Sequence, residues 1–294
     1  MNRSMMKRTF AVLLAAGCAA IAQPGFAQSG AVVEGVQMPA WVERGGERKP
    51  LAVGMELKAG DAVRTGVGSR ALVRLSEGSV VKLGENGSLQ ISDINPDSGG
   101  FFKAAMRVAE GAFRFTTDVL SKVRRREVSI TVATVTAGIR GTDLWGKSSG
   151  DRQTVCLLEG KIEVGAQGEQ PVTMDQARQF YRREKGQTLP VGFVTPEQIG
   201  EWARETEIES GKGAVRRGGK WKVVLVSADT QAAALEVYDK VREGGYAAEI
   251  RPATVGDKVV YRVRVANLPS KDEAEALAAK LRGQFGVAEP KVSS

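Results

Sequence analysis

Short runs of apolar residues separated by turn sequences fill residues 30–189, and this pattern restricts the region to a sheet-rich fold. The first clear runs are residues 71–75, 80–83 and 89–91. Turn sequences such as Ser76-Glu77-Gly78 lie between them, a spacing that is typical of β-hairpins. Further strand-like runs extend over residues 127–164. We therefore predict an all-β domain over residues 28–189.

Residues 220–294 have a different pattern, in which strand-like and helical segments alternate. The predicted segments are a strand at 221–226, a helix from Asp229 to Gly244-Gly245, strands at 247–251 and 259–265, a helix after Pro269, and a final strand after that helix. Ser270 and Glu273 are predicted to form a capping box at the start of the second helix. The order predicts a separate α+β domain with a βαββαβ arrangement.

The 259–265 run alternates in a way that indicates a half-buried strand. Tyr261, Val263 and Val265 should face the core, whereas Arg262 and Arg264 should face the opposite side. A sheet covered by two helices on one side leaves the other side open. The residues predicted on this open face are Lys222, Val224, Arg262 and Arg264.

Three parts of this region carry a resemblance to a known family. They are the opening strand, the Tyr261-Arg262-Val263-Arg264-Val265 run with the Ala266-Asn267-Leu268-Pro269 turn after it, and the helical stretch 272–278. Together they resemble the SPOR domain, a bacterial periplasmic module with an RNP-like fold. The resemblance implies binding to peptidoglycan glycan strands that lack stem peptides, on the sheet face that the helices leave open.

The resemblance also implies which side chains would bind the glycan. Ser227 matches the small hydroxyl residue of the family, and Arg262 matches its arginine. Val224 stands where a glutamine is usual, and Val260 stands where an aromatic residue is usual. Arg264 completes the predicted site, because it shares a face with Arg262.

RNA-recognition motifs have the same element order, and they stack bases on aromatic residues of the exposed sheet. The predicted open face has no such aromatic residues. Residues 220–294 contain twelve basic and ten acidic residues, a net charge of only +2. We therefore predict that nucleic acid is not a partner.

Four segments of the all-β region resemble the FecR-type periplasmic domain. They are residues 60–66, 76–79, 134–143 and 158–164. In its best-known members this domain is the extracytoplasmic part of a signal relay to a sigma factor. The resemblance implies a partner-binding or regulatory module, with an envelope protein as its partner. Glycines in the 138–142 turn favour a tight crossing between β-layers, and Arg140 is the one side chain there that could contact a ligand or pair with an acid inside the domain.

The first 27 residues have the features of a secretory signal peptide. A basic start precedes an apolar stretch at residues 10–22, and Gly25-Phe26-Ala27 is a suitable cleavage sequence. We expect cleavage after Ala27 and a soluble periplasmic protein that begins at Gln28. The alternative is a lipoprotein anchored through Cys18.

The region between the two domains, residues 190–219, is predicted to be a short helix and a flexible linker. Thr195-Pro196-Glu197-Gln198 is a capped helix start, and Ile199, Trp202 and Thr206 would share one face that docks on a domain. Residues 211–219 are rich in glycine and basic residues, which predicts a flexible tether.

The residue types exclude several kinds of catalysis. The chain has no histidine, so Ser/His/Asp and Cys/His triads and histidine-containing zinc sites are impossible. Cys156 would be the single cysteine of the mature chain and is predicted to be a buried apolar residue. We predict a non-enzymatic protein with no cofactor, metal or catalytic residue. Two alternatives stay open: an envelope sensor that acts through the FecR-like domain, and a glycan hydrolase with two carboxyl groups about 5 to 10 Å apart.

Overall fold

The computed structural model of the chain describes residues 30–95, 101–117, 125–139 and 141–294. The predicted signal peptide, with Cys18 and the cleavage site after Ala27, lies outside the described residues, and so does Arg140. Within the described ranges no helix has both the length and the apolar character needed to cross a membrane.

Strands dominate the first two thirds of the chain, and helices appear only towards the C-terminus. The strands of the N-terminal region are β1 (Ala31–Gln37), β2 (Ala40–Arg44), β3 (Glu47–Pro50), β4 (Glu56–Leu57), β5 (Ala62–Thr65), β6 (Arg70–Leu75), β7 (Val80–Leu83), β8 (Ser88–Asn95), β9 (Phe101–Thr116), β10 (Arg125–Val132), β11 (Val135–Ile139), β12 (Asp143–Ser149), β13 (Arg152–Glu159), β14 (Ile162–Ala166), β15 (Val172–Met174), β16 (Gln179–Glu184), β17 (Gln187–Thr188) and β18 (Gly192–Phe193). Helix α1 (Pro196–Thr206) and strand β19 (Ala214–Arg216) follow. The C-terminal elements are β20 (Trp221–Ala228), α2 (Gln231–Glu243), β21 (Glu249–Val255), β22 (Lys258–Leu268), α3 (Lys271–Leu281) and β23 (Lys291–Ser293). The prediction of a sheet-rich N-terminal region followed by an α/β C-terminal region is confirmed.

The N-terminal strands form two sheets that share β9. The main order of the first sheet is β19-β1-β6-β7-β9-β12-β13-β16-β18. The main order of the second sheet is β3-β2-β5-β8-β9-β10-β11-β14-β15. The first part of β9 pairs with β8 and β10, whereas the residues from Gly111 onward pair with β12 and β7.

Gly111 makes this change of sheet possible. Its φ is +86°, and a Cβ atom at this position would lie 2.6 Å from the Cα of Gly87. A residue with a side chain would be strained in this backbone conformation and would also collide with the neighbouring chain. Phe113 and Phe115 follow directly and are fully buried. Burial of each such side chain contributes about 1.5 to 3 kcal/mol to folding.

Helix α1 packs on the outer face of the first sheet, so the prediction that it docks on a domain is confirmed. Thr195 and Gln198 form the expected capping box, with Pro196 at the start of the helix. The Trp202 ring stacks on Trp145, with 4.2 Å between ring centroids and 11° between planes. Ile199 packs in the same cluster.

Cys156 lies in the cluster that α1 covers. Its side chain is fully buried, together with Ala112 and Trp145. Burial raises the pKa of the thiol to about 12, so the unreactive thiol predominates at neutral pH. The prediction of a buried apolar role for this cysteine is confirmed.

The structure contradicts the flexible tether that was predicted for residues 211–219. β19 lies within this segment and pairs antiparallel with Gly35–Gln37 of β1, where Val215 is buried. Gly213 has a φ of +76°, and a Cβ atom there would lie 2.9 Å from the Cα of Leu277. The glycine at position 213 therefore allows the chain to pack closely against α3, and it does not indicate a flexible segment.

Glu273 is a second departure from the prediction, because the capping box at α3 is only half formed. The Ser270 hydroxyl accepts a hydrogen bond from the Glu273 N–H, as expected. The Glu273 carboxylate instead accepts hydrogen bonds from the backbone N–H groups of Gly211 (2.7 Å), Gly213 (2.7 Å) and Ala214 (2.9 Å). The segment before β19 is thereby attached to α3.

The C-terminal region is a four-stranded antiparallel sheet in the order β21-β22-β20-β23, with α2 and α3 packed on one face. Val263 and Val265 are fully buried on that face and Tyr261 packs against the core, as the alternation predicted.

Two predicted boundaries are wrong. Thr230, not Asp229, caps α2, because its hydroxyl accepts from the N–H of Ala233. β21 begins at Glu249 instead of residue 247, because the preceding chain packs its side chains into the core.

The two regions are docked against each other through the turn after α2 and the end of α3. The backbone N–H of Ala40 donates to the Gly245 carbonyl (3.1 Å), and the Trp41 indole N–H donates to the Glu243 carbonyl (3.2 Å). Lys280 Nζ donates to the Met38 carbonyl (2.7 Å). Burial, with a smaller contribution from a nearby lysine, lowers the pKa of Lys280. These bonds, β19 and Glu273 fix the modules relative to one another.

Candidate functional site

The face of the C-terminal sheet opposite α2 and α3 is the candidate site. Cross-strand neighbours in this sheet point to the same side. Ser227 of β20 lies opposite Arg262 of β22, and Val224 lies opposite Arg264. Four of the five predicted site residues are therefore on one face. Ser227 is exposed, and the other three are half-buried.

A β-bulge in β20 determines that Ser227 belongs to this face. The register with β22 shifts between Val224 and Val226, which leaves Leu225 as the extra residue. Strict alternation would put Ser227 on the same side as Val223. The bulge reverses this assignment and turns Val226 towards the core, against which it packs.

Val260, the fifth predicted residue, offers little surface. It lies in register with Ala253 of β21, and alternation places it on the same face as Arg262. Only 8% of its surface is exposed. The side chain is therefore next to Arg262 in the sheet but presents little area for contact with a sugar ring.

Two functional candidates on this face, Glu249 and Arg251, were missed in the sequence. Arg251 lies directly opposite Arg262, and Glu249 lies directly opposite Arg264. Glu249 accepts hydrogen bonds from Arg264 Nε (2.8 Å) and from Arg251 Nε (3.0 Å). Both residues lie within the predicted 247–251 strand, but its register with β22, which brings them to this face, could not be read from the sequence.

Arg262 differs from its neighbours in its electrostatic environment. Across the ranges that the structure describes, its guanidinium group has no hydrogen-bond or ion-pair partner. Lys291 of β23 lies opposite Val224 and is exposed. We define the cationic face as Arg251, Arg262, Arg264 and Lys291 together with Glu249. Four positive charges and one negative charge give it a net charge of +3.

The cationic face borders the N-terminal region. A cavity of about 210 Å³ between the two regions is lined by Ala52, Val53 and Val215 on one side and by Glu249 and Asn267 on the other. Because Glu249 belongs to both the cavity and the cationic face, a ligand on the face would lie close to the N-terminal domain.

The N-terminal region has cavities of its own, with linings that mix polar and apolar residues. One of about 560 Å³ is lined by Arg107, Thr131, Thr136 and Arg183, among others. The hydroxyl groups of Thr131 and Thr136 lie 3.1 Å apart in it. Within the described part of the chain, no group of three or more His, Cys, Asp or Glu residues is placed to hold a metal ion.

Carboxylates also gather beside the segment that leads to β19, in a cavity of about 530 Å³. Glu209, Asp272 and Glu273 line it. Glu273 is occupied by three backbone N–H groups, and Glu209 forms an ion pair with Arg70 at 3.6 Å. Glu273 and Glu209 therefore hold the chain in place.

Comparison with known proteins identifies both modules. Residues 61–163 match the family model described as FecR protein, and residues 218–288 match the SPOR domain. No curated protein matches the chain. Two crystal structures of a putative anti-sigma factor from Parabacteroides distasonis, at 1.65 and 2.50 Å resolution, share 15% and 14% sequence identity with it. Each alignment covers 75% of this chain and 89% of the other, with a TM-score of 0.39, which is too low to support an argument about fold or function. The chain therefore contains a FecR domain followed by a SPOR domain, two modules of the binding or regulatory kind.

Proposed function

We propose that this protein is a non-enzymatic periplasmic protein that binds peptidoglycan glycan strands lacking stem peptides. The SPOR domain, a peptidoglycan-binding kind of domain, would bind the strand through its cationic face. The FecR domain would act as the partner-binding or regulatory module. The observation that carries the proposal is Arg262, an unpaired arginine within the described residues, beside the exposed hydroxyl of Ser227.

An unpaired arginine on an open sheet is better explained by ligand binding than by stability. A guanidinium group has five N–H donors and no acceptor, so it needs oxygen acceptors. Arg264 and Arg251 obtain theirs from Glu249, whereas Arg262 has none among the described residues. A glycan supplies many hydroxyl, carbonyl and carboxylate oxygens. Ser227 would add a hydroxyl group that both donates and accepts.

The way in which the FecR domain is held supports a role close to the cell wall. Because β19 and Glu273 attach the two modules, a SPOR domain bound to glycan would keep the FecR domain close to the cell wall in a defined orientation. An envelope protein is the partner that we propose for the FecR domain.

An alternative function has its own supporting observation. Val224 and Val260 replace the polar and aromatic residues of the family pattern, and Val260 is almost buried. Both differences remove contacts that would hold a sugar ring. The protein would then be an envelope regulatory sensor that acts through the FecR domain, with weak or lost glycan binding.

The decisive experiment is co-sedimentation of the full mature chain, residues 28–294, with amidase-treated sacculi. We expect the wild type to sediment and Arg262→Ala to bind about 10 to 100 times more weakly, the loss expected for a hydrogen bond to a charged group. Arg282→Ala is the matched control, because Arg282 is exposed at the end of α3, on the helix side of the module.

Thermal melts of the same variants separate lost binding from unfolding. Both arginines are at the surface, so both variants should melt within about 0.5 kcal/mol of the wild type. Wild-type protein that stays in the supernatant with sacculi rich in peptide-free strands would contradict glycan binding and favour the sensor alternative.

A further inference from the structure

One row of the SPOR sheet combines a hydroxyl group and two arginines. Ser227, Arg262 and Arg251 lie directly opposite one another across β20, β22 and β21. Like charges directly opposite each other destabilise a sheet. The two arginines of this row therefore need an explanation other than the stability of the fold, and an anionic ligand between them supplies one.

The charges around this row do not neutralise it. Glu249, in the next row, is the single acidic residue of the cationic face and is shared by Arg251 and Arg264. Each oxygen of its carboxylate therefore already accepts from one of these arginines, and neither oxygen is bonded to Arg262. Arg262 and the exposed side chain of Arg251 retain free donors for a further acceptor. A carboxylate matches this arrangement best, because arginine binds planar carboxylates through paired N–H groups.

We propose that Arg262 and Arg251 bind the free lactyl carboxylate of N-acetylmuramic acid, with Ser227 binding an adjacent sugar oxygen. This inference rests on the proposed function. Each muramic acid of a strand without stem peptides has a free carboxylate, whereas attachment of the peptide converts that carboxylate to a neutral amide. Recognition of a carboxylate at the lactyl position would therefore favour bare strands over peptide-bearing strands.

The geometry allows both arginines to act on one carboxylate. Directly opposite residues of an antiparallel pair have Cβ atoms about 4.5 to 5.5 Å apart, and guanidinium groups on such neighbours can converge on the same anion. Arg251 is 60% exposed at its side chain, so a glycan can approach it from solvent. Arg264 and Lys291, in the neighbouring row, extend the positive charge across the sheet.

The test uses the full mature chain and amidase-released glycan strands in two forms. One form has free lactyl carboxylates, and in the other these groups are converted to methylamides. We expect the wild type to bind the methylamide strands at least about tenfold more weakly, as expected for loss of charge-assisted hydrogen bonds. Arg251→Ala and Arg262→Ala should each weaken binding to the carboxylate strands by about tenfold and should cause no further loss on the methylamide strands. Arg282→Ala should match the wild type on both.

The outcomes separate this inference from the proposed function. Equal wild-type affinity for both forms would overturn carboxylate recognition and leave glycan binding intact. Failure to bind either form would overturn both. An equal loss by Arg251→Ala on the two forms would also overturn the inference. If polyglutamate bound as tightly as the carboxylate strands at the same salt concentration, the inference would also be overturned, because the protein would then be attracted to polyanions in general.

Discussion

Glu273 links the two modules, and its removal should separate them. Its side chain is 7% exposed, and its carboxylate accepts hydrogen bonds from Gly211, Gly213 and Ala214. Glu273→Ala leaves these three N–H groups without their acceptor. The chain at Gly211 is exposed, so water can replace the acceptor there.

The cost comes from the two groups that water cannot easily reach. Gly213 and Ala214 are buried. A buried donor left without a partner costs about 1 to 3 kcal/mol, so the two together should weaken the docked state by about 2 to 6 kcal/mol. A domain has a total stability of only about 5 to 15 kcal/mol, so this loss is large. We expect the segment before β19 to detach from α3 in a measurable fraction of molecules.

Limited trypsin digestion measures this detachment, because Lys212, Arg216 and Arg217 lie in or beside the attached segment. The wild type should resist cleavage there, whereas Glu273→Ala should be cut readily and should melt in two transitions. Glu275→Ala is the control on the same helix. Glu275 is exposed, and its one ion pair among the described residues is with Lys271 at i,i+4 spacing (3.1 Å), a contact worth about 0.3 to 0.5 kcal/mol. Equal cleavage rates and one shared melting transition for the wild type and Glu273→Ala would refute the proposed attachment.

Two further predictions concern the FecR domain and α1. Trp202→Ala removes the half-buried ring stacked on Trp145 and should destabilise the protein by about 1 to 3 kcal/mol. The substitution should also make Cys156 react with a thiol reagent under native conditions, whereas the wild-type thiol should react only after unfolding. An unreactive Cys156 in the variant would contradict the view that α1 shields this thiol from solvent. Gly111→Ala should prevent or strongly impair folding, measured by soluble yield and circular dichroism, because it combines a positive φ with a 2.6 Å contact. Gly150→Ala is the control, because Gly150 also has a positive φ (+58°) but has open space around it. This substitution should lower the stability by only about 1 kcal/mol. Equal effects of the two substitutions would contradict the steric argument.

Local patterns predicted those parts of the fold that depend on local chemistry. The strand-like runs and the capped start of α1 at Thr195 could be read from spacing, because alternation and capping act within a few residues. The orientation of Tyr261, Val263 and Val265 followed from the same alternation. None of these features needed knowledge of a distant partner.

Features that depend on distant partners could not be predicted in this way. The segment 211–219 has the composition of a flexible linker, and only the carboxylate of Glu273 and the edge of β1 make it ordered. The side on which Ser227 lies depends on a bulge, which shifts the alternation by one residue without a distinctive sequence. Arg251 became a site candidate only through its register opposite Arg262.

The pairing of β19 with β1 also determines how mechanical load passes through the molecule. The chain enters β20 a few residues after β19 ends. Because this connection is short, tension on the SPOR domain is transmitted directly to the edge of the first FecR sheet. Three register pairs between Gly35–Gln37 and Ala214–Arg216 would resist that tension before the chain could lengthen. Their rupture would free the chain between α1 and β20 to straighten, which would lengthen the connection between the domains. The junction therefore has two mechanical states, a stiff one at low force and a compliant one above the force that breaks the pairing.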